Sequence, residues 1–220
     1  MGAYRRWLNA TARRLKSKAP RTLVTTGTEG LTPFPREYVG IDFAVDHASE
    51  HLDYATVHVW PQNWGWYDPE RPETYDDALN KSVTYIRRHV DLAREIGKPL
   101  VLEEFGIGRD AASHRDGTPV TTRDRYYADV FAEVLAHATD VHSPLHSANF
   151  WAWGGEGRPR SPRARGAPLT GEHCWQPGDP LLGDPPHEPA GWYSVFDTDT
   201  RTHAVVANFS AELGTLPLDY

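Results

Sequence analysis

Four times along this chain a short, continuously apolar run gives way to a stretch with helical spacing, and that alternation leaves few folds open. Strands that are apolar throughout are buried on both faces, which happens when helices cover a parallel sheet. The runs are residues 22–26, 54–59, 99–102 and 147–153. A helix over residues 4–18 precedes them, with Trp7, Leu8, Ala12 and Leu15 on one stripe and Arg or Lys opposite. Residues 41–51 read as helix. Pro72 marks the start of another, where Leu79, Val83, Ile86, Val90 and Ala93 recur at spacings of four and three until Gly97 stops it. Thr121-x-x-Asp124 caps a third, with Tyr127, Val130, Phe131, Val134 and Ala138 on one face. Residues 154–189 form a long loop dense in Gly, Pro and charge, and residues 200–213 close the chain as a helix.

Two parallel architectures compete, an open doubly wound sheet and part of a closed (β/α) barrel. A nucleotide-binding sheet needs a Gly-rich phosphate turn after its first strand, and Gly27-x-x-Gly30 lacks both the third glycine and a lysine. The polar and aromatic clusters instead fall just after strands, where barrel enzymes keep their active sites. Length favours one domain over residues 1–220. No run approaches the ~18 apolar residues of a membrane span. A net charge of -7 argues against a nucleic-acid partner, because such binding rests on neutralising phosphates. Cys174, the single cysteine, excludes a disulfide scaffold and a thiolate metal cage. No cofactor motif occurs, and no leader-like apolar core follows Met1.

Three clusters could carry chemistry. Residues 99–102 run into Glu103-Glu104-Phe105-Gly106, and acids at the mouth of an apolar strand are costly to bury unless paired or used. Strand alternation sends the two carboxylates to opposite sides, so one of them faces a lumen as nucleophile or base. His58 and Trp60 share a strand face and lead into Gln62-Asn63-Trp64-Gly65-Trp66-Tyr67, where tryptophans on a loop suit the flat faces of sugars. In Phe150-Trp151-Ala152-Trp153-Gly154-Gly155, Trp151 and Trp153 are expected on one face, with glycines that let backbone pass close to a ligand.

These residues together resemble the β-mannanases of glycoside hydrolase family 5. The likeness rests on LEEFG at Glu104, His58-x-Trp60 with QNWGWYDP, FWAWGGEGR, Thr26-Gly27-Thr28-Glu29-Gly30, Gly183-Asp184-Pro185-Pro186 and Gly191-Trp192-Tyr193-Ser194, from Trp7 to about residue 206. It implies an eight-stranded (β/α) barrel that hydrolyses internal β-1,4-mannosidic bonds with retention, acting on β-mannan or manno-oligosaccharides outside the cell. By the resemblance Glu104 is the nucleophile, His58 lines the subsite of the cleaved sugar, and Trp151 is its platform. Trp60, Asn63, Trp64, Trp66, Trp153 and Glu29 add sugar contacts. Residues 4–18 correspond to the helix after strand four, so the chain carries strands 5–8 and the N-terminal half of the barrel is absent. The family's acid/base glutamate follows an asparagine, and no Asn-Glu dipeptide occurs here. Glu29 is the one acid weighed as a stand-in. A half-barrel leaves edges and an apolar face open, so self-association or an N-terminal half-barrel partner is expected. The same residues admit a non-hydrolytic carbohydrate-binding fragment or a family 5 β-1,4-glucanase.

Other patterns weigh less. His47-Ala48-Ser49-Glu50-His51 has the spacing of an inverted zinc peptidase, but it needs more helix around it than the chain provides. Arg158, Arg160, Arg163 and Arg165 form a basic segment that reads as solvated.

Overall fold

The computed structural model describes residues 2–33, 42–163, 167 and 171–217. In chain order these form α1 (Gly2–Lys18), α2 (Phe43–His47), β1 (Ala55–Val59), α3 (Tyr75–Glu95) behind a 3-10 turn at Pro72–Thr74, β2 (Leu100–Phe105), α4 (Thr121–Ala138), β3 (Leu145–Ala148), β4 (Trp153–Gly155), β5 (Val195–Phe196) and α5 (Thr200–Leu213). The class is α/β, as the alternation indicated. Packing divides the chain into two compact units: Met1–Val59, Val83–Glu104 and Val134–Asn149, and then Trp60–Ser82, Phe105–Glu133 and Phe150–Tyr220.

The first unit holds a sheet of order β1-β2-β3. β2 and β3 run parallel, with Leu100, Val101 and Leu102 opposite Leu145, Ser147 and Ala148. β1 is buried at all five positions, Thr56 and His58 included, as a strand covered on both faces is. Beside it, residues 22–26 were expected to add a strand, yet they form no ladder. The Asp53 side chain takes their pairing: its carboxylate accepts from the Val24 amide at 2.6 Å, while the Asp53 amide donates to the Val24 carbonyl at 2.8 Å. The Thr25 hydroxyl donates to the Tyr54 carbonyl. Local side-chain bonds of this kind compete with a sheet and here win. The helix expected over 41–51 shrinks to α2, capped by Asp42, whose side chain accepts from the Val45 amide; Ile41 lies outside the described residues. On α1 only Leu8 and Ala12 are buried, in a small cluster with Val24 and Leu52.

The run 147–153 departs from expectation. β3 ends at Ala148, before the aromatic residues, and Trp153 opens a different strand, β4, which pairs in parallel with β5. Seven residues were too few to separate one strand from two halves joined by a bend. Phe105, Tyr126, Tyr127 and Phe131 form an aromatic core onto which α5 docks, Phe209 stacking on Phe131 at 4.0 Å and 10°. Beneath β5, Asp199 joins two buried guanidiniums, those of Arg109 and Arg123.

Candidate active site

The chemistry of the first unit gathers where β1 and β2 end. Alternation places His58 on a buried β1 face, and its imidazole meets both acids of β2. Nε2 lies 3.1 Å from Glu103 Oε2, and Nδ1 lies 3.1 Å from Glu104 Oε2. The expectation that the two carboxylates part to opposite sides is therefore corrected. Pleating fixes where a Cβ points, but three further torsions let each carboxylate curl towards a neighbouring strand's imidazole. His58 is nearly buried and each carboxylate about a quarter exposed. Burial pushes the Glu104 carboxyl above its ordinary range; His58 opposes that shift, and the charges of Glu103 and Glu29 add to it.

Glu29 sits on a turn bound to the backbone of β1, its carbonyl accepting from the His58 amide at 3.0 Å. Two α3 side chains clamp that turn. The Tyr85 hydroxyl donates to the Glu29 carbonyl and accepts from the Thr32 amide at 2.9 Å. His89 donates from Nδ1 to the Tyr85 carbonyl at 2.8 Å, which leaves Nε2 to accept from the Leu31 amide at 2.9 Å. That bond requires a neutral ring, and burial lowers the His89 pKa to about 4. Gly30 passes between them at φ +95, where an added Cβ would meet His89 Nε2 at 2.5 Å. No spacing rule could have found this clamp, since its members lie more than fifty residues apart.

The second unit holds the tryptophans. Trp60 packs edge-on against Trp151 at 6.1 Å and against Tyr193 at 5.3 Å. Trp151 is fixed by its backbone: its amide donates to the Phe105 carbonyl, and its carbonyl accepts from the Tyr127 hydroxyl. Trp64 and Trp66 meet at 4.9 Å. Asn63 takes the Tyr193 hydroxyl on its amide oxygen, a loop-to-loop tie. A pocket of about 600 Å³ opens beside it, lined by Asn63, Tyr67, Asp68, Arg71, Arg163 and Trp192 among others. Trp153 does not share a face with Trp151 as expected; it lies 57% exposed against His203 of α5. The partly buried Asp184 carboxylate, inside the GDPP motif, accepts from the Gly191 and Tyr193 amides and the Ser194 hydroxyl.

The zinc-like spacing resolves into packing. His47 donates from Nδ1 to the Phe43 carbonyl, and its Nε2 accepts from the Thr26 hydroxyl at 2.9 Å. Among the described residues no group of three or more His, Cys, Asp and Glu could hold a metal ion. Arg158 and Arg160 of the basic segment pair with Asp116, Asp197 and Asp179, and Arg165 lies outside the described residues. Among the described residues no helix is long and apolar enough to cross a membrane.

A family model described as GH family 5 beta-mannosidase-like matches residues 1–217. Mannan endo-1,4-beta-mannosidase 5 of Arabidopsis thaliana is 28% identical over 145 residues, which are 60% of this chain and 32% of that protein. Mannan endo-1,4-beta-mannosidase 3 of Oryza sativa subsp. japonica is 28% identical over 163 residues, covering 68% and 33%. Among solved structures, a glycoside hydrolase family 5 mannosidase from Rhizomucor miehei superimposes with a TM-score of 0.77 at 32% identity, over 95% of this chain and 48% of that one. An endo-beta-1,4-mannanase from Thermotoga petrophila shares the fold, with a TM-score of 0.63 at 22% identity over 97% and 40%. The chain spans about a third of these curated relatives and under half of these two solved chains.

Proposed function

Because the chain belongs to the GH family 5 beta-mannosidase-like family, we propose that it supplies the nucleophile and sugar platforms of an endo-acting hydrolase of β-1,4-mannosidic bonds in extracellular mannan. The observation that carries this reading is Glu104: a half-buried carboxyl at a strand end, 3.1 Å from the His58 imidazole. In the retaining reaction a Glu104 oxygen bonds to the anomeric carbon as the glycosidic oxygen leaves, and water then releases the sugar from the ester. Trp60, Trp64, Trp66, Trp151, Trp153, Asn63, His58 and Glu29 are read as sugar contacts, with Trp151 as the platform for the cleaved sugar.

Retention also needs a second carboxyl roughly 5 Å from the first to protonate the leaving oxygen. We place that proton donor outside the 220 residues, in a segment that completes the barrel of which this chain forms strands 5–8. General acid catalysis contributes ~10²–10⁴-fold, so the chain alone is expected to turn over mannan slowly or not at all. A donor whose leaving group needs no proton bypasses that gap. With 2-deoxy-2-fluoro-β-mannosyl fluoride, Glu104 forms the C1–O bond, the C1–F bond breaks, and fluoride departs with the electron pair. The wild-type chain should gain one fluoromannosyl mass on the peptide holding Glu104, and Glu104→Gln should gain none. Labelling elsewhere, or none, overturns the nucleophile reading.

The paired rings Trp64 and Trp66 favour a second reading, a carbohydrate-binding fragment without turnover. Binding of manno-oligosaccharides by calorimetry, with no labelling of Glu104, would select it.

A further inference from the structure

We infer that Glu103 is a positioning residue that acts on Glu104 through His58. The inference rests on the reading of Glu104 as nucleophile and adds a residue that reading leaves unused. The geometry is a chain of three groups: Glu103 Oε2, 3.1 Å, Nε2; then Nδ1, 3.1 Å, Glu104 Oε2. A neutral imidazole carries one N–H and can donate to one of these oxygens only. The hydrogen bond runs between Nε2 and Glu103, while Nδ1 stands at ion-pair distance from Glu104. The ring is thus held between the two acids, one at each nitrogen.

That arrangement has a consequence in the reaction. When Glu104 becomes an ester it loses its charge and its hold on Nδ1. Glu103 still grips Nε2, so the imidazole stays in place and can receive the Glu104 carboxylate when water cleaves the ester.

The test is a double-mutant cycle on the full chain, because residues that act as one unit are non-additive. Labelling by the fluoride donor is followed by intact mass for wild type, Glu103→Gln, His58→Gln and the double variant. Glu103→Gln should slow labelling roughly tenfold or more, and it should add almost nothing once His58 is gone. Equal, multiplicative losses in both backgrounds would overturn the inference, as would a Glu103→Gln rate equal to wild type. A second readout needs no turnover: the Glu104 carboxyl followed by ¹³C NMR, assigned with Glu104→Gln. The charged groups around it are His58 on β1, Glu103 on its own strand and Glu29 on the preceding turn. The shift in its titration midpoint caused by Glu103→Gln should differ between the wild-type and His58→Gln backgrounds, because in the second only the direct repulsion of Glu103 remains; equal shifts in both backgrounds overturn the inference. If wild type takes no label, the nucleophile reading falls, while the NMR cycle still decides whether Glu103 works through His58.

Discussion

At the residue scale, His58 at the end of β1 stands between the two acids of β2, and the backbone turn that carries Glu29 and Gly30 holds the His58 amide. Glu104, His58 and Trp151 stand out because an acid, an imidazole and an indole at strand ends are expensive unless used. Glu103 was legible as a residue but not as a partner, since period-two alternation says where a side chain sets off and not where its end arrives. Gly30 was legible only as part of TGTEG, whereas the structure shows a backbone at φ +95 with His89 filling the place of a side chain. Gly30→Ala combines a left-handed backbone with a hard contact. It should cost about 2–3 kcal/mol, read as a lower urea midpoint with unchanged slope, and should displace Glu29 with it.

At the element scale, apolar periodicity sufficed for α1, α3, α4 and α5, where a long stripe outvotes local exceptions. It failed at residues 22–26, where the Asp53 side chain replaced a ladder, and at β5, whose two residues are too short to show a period. The α3–turn clamp carries a pH dependence. His89 titrates near 4 in the folded chain, against 6.5 for an ordinary histidine. As pH falls below about 6.5 the unfolded chain takes up this proton first, so stability drops from there to about pH 4 and the loss then levels off. The shift corresponds to roughly 3 kcal/mol. Urea unfolding from pH 7 to pH 4 should show this slope in wild type, and His89→Gln should remove one proton's worth of it. An unchanged slope in that variant would assign the acid sensitivity elsewhere, His114 with its pKa of about 3 being the next candidate.

At the scale of the whole molecule, α1 carries an apolar stripe of which the described residues cover Leu8 and Ala12 and leave the rest open. Trp7 is 61% exposed and Leu15 49%, and Leu23 beyond the helix is 69% exposed. Exposed apolar area of this kind drives association. The purified chain should elute from size exclusion as oligomers that grow with concentration, and Trp7→Gln with Leu15→Gln should shift it towards monomer. A concentration-independent monomer for wild type would count against a half-barrel with an uncovered face. Elsewhere, Asp184 gathers donors seven, nine and ten residues downstream into one knot. A segment tied to itself in this way travels as a piece. Anyone transplanting this stretch between homologues should move residues 184–194 together, because a crossover inside them would strand a carboxylate in one parent and its amides in the other.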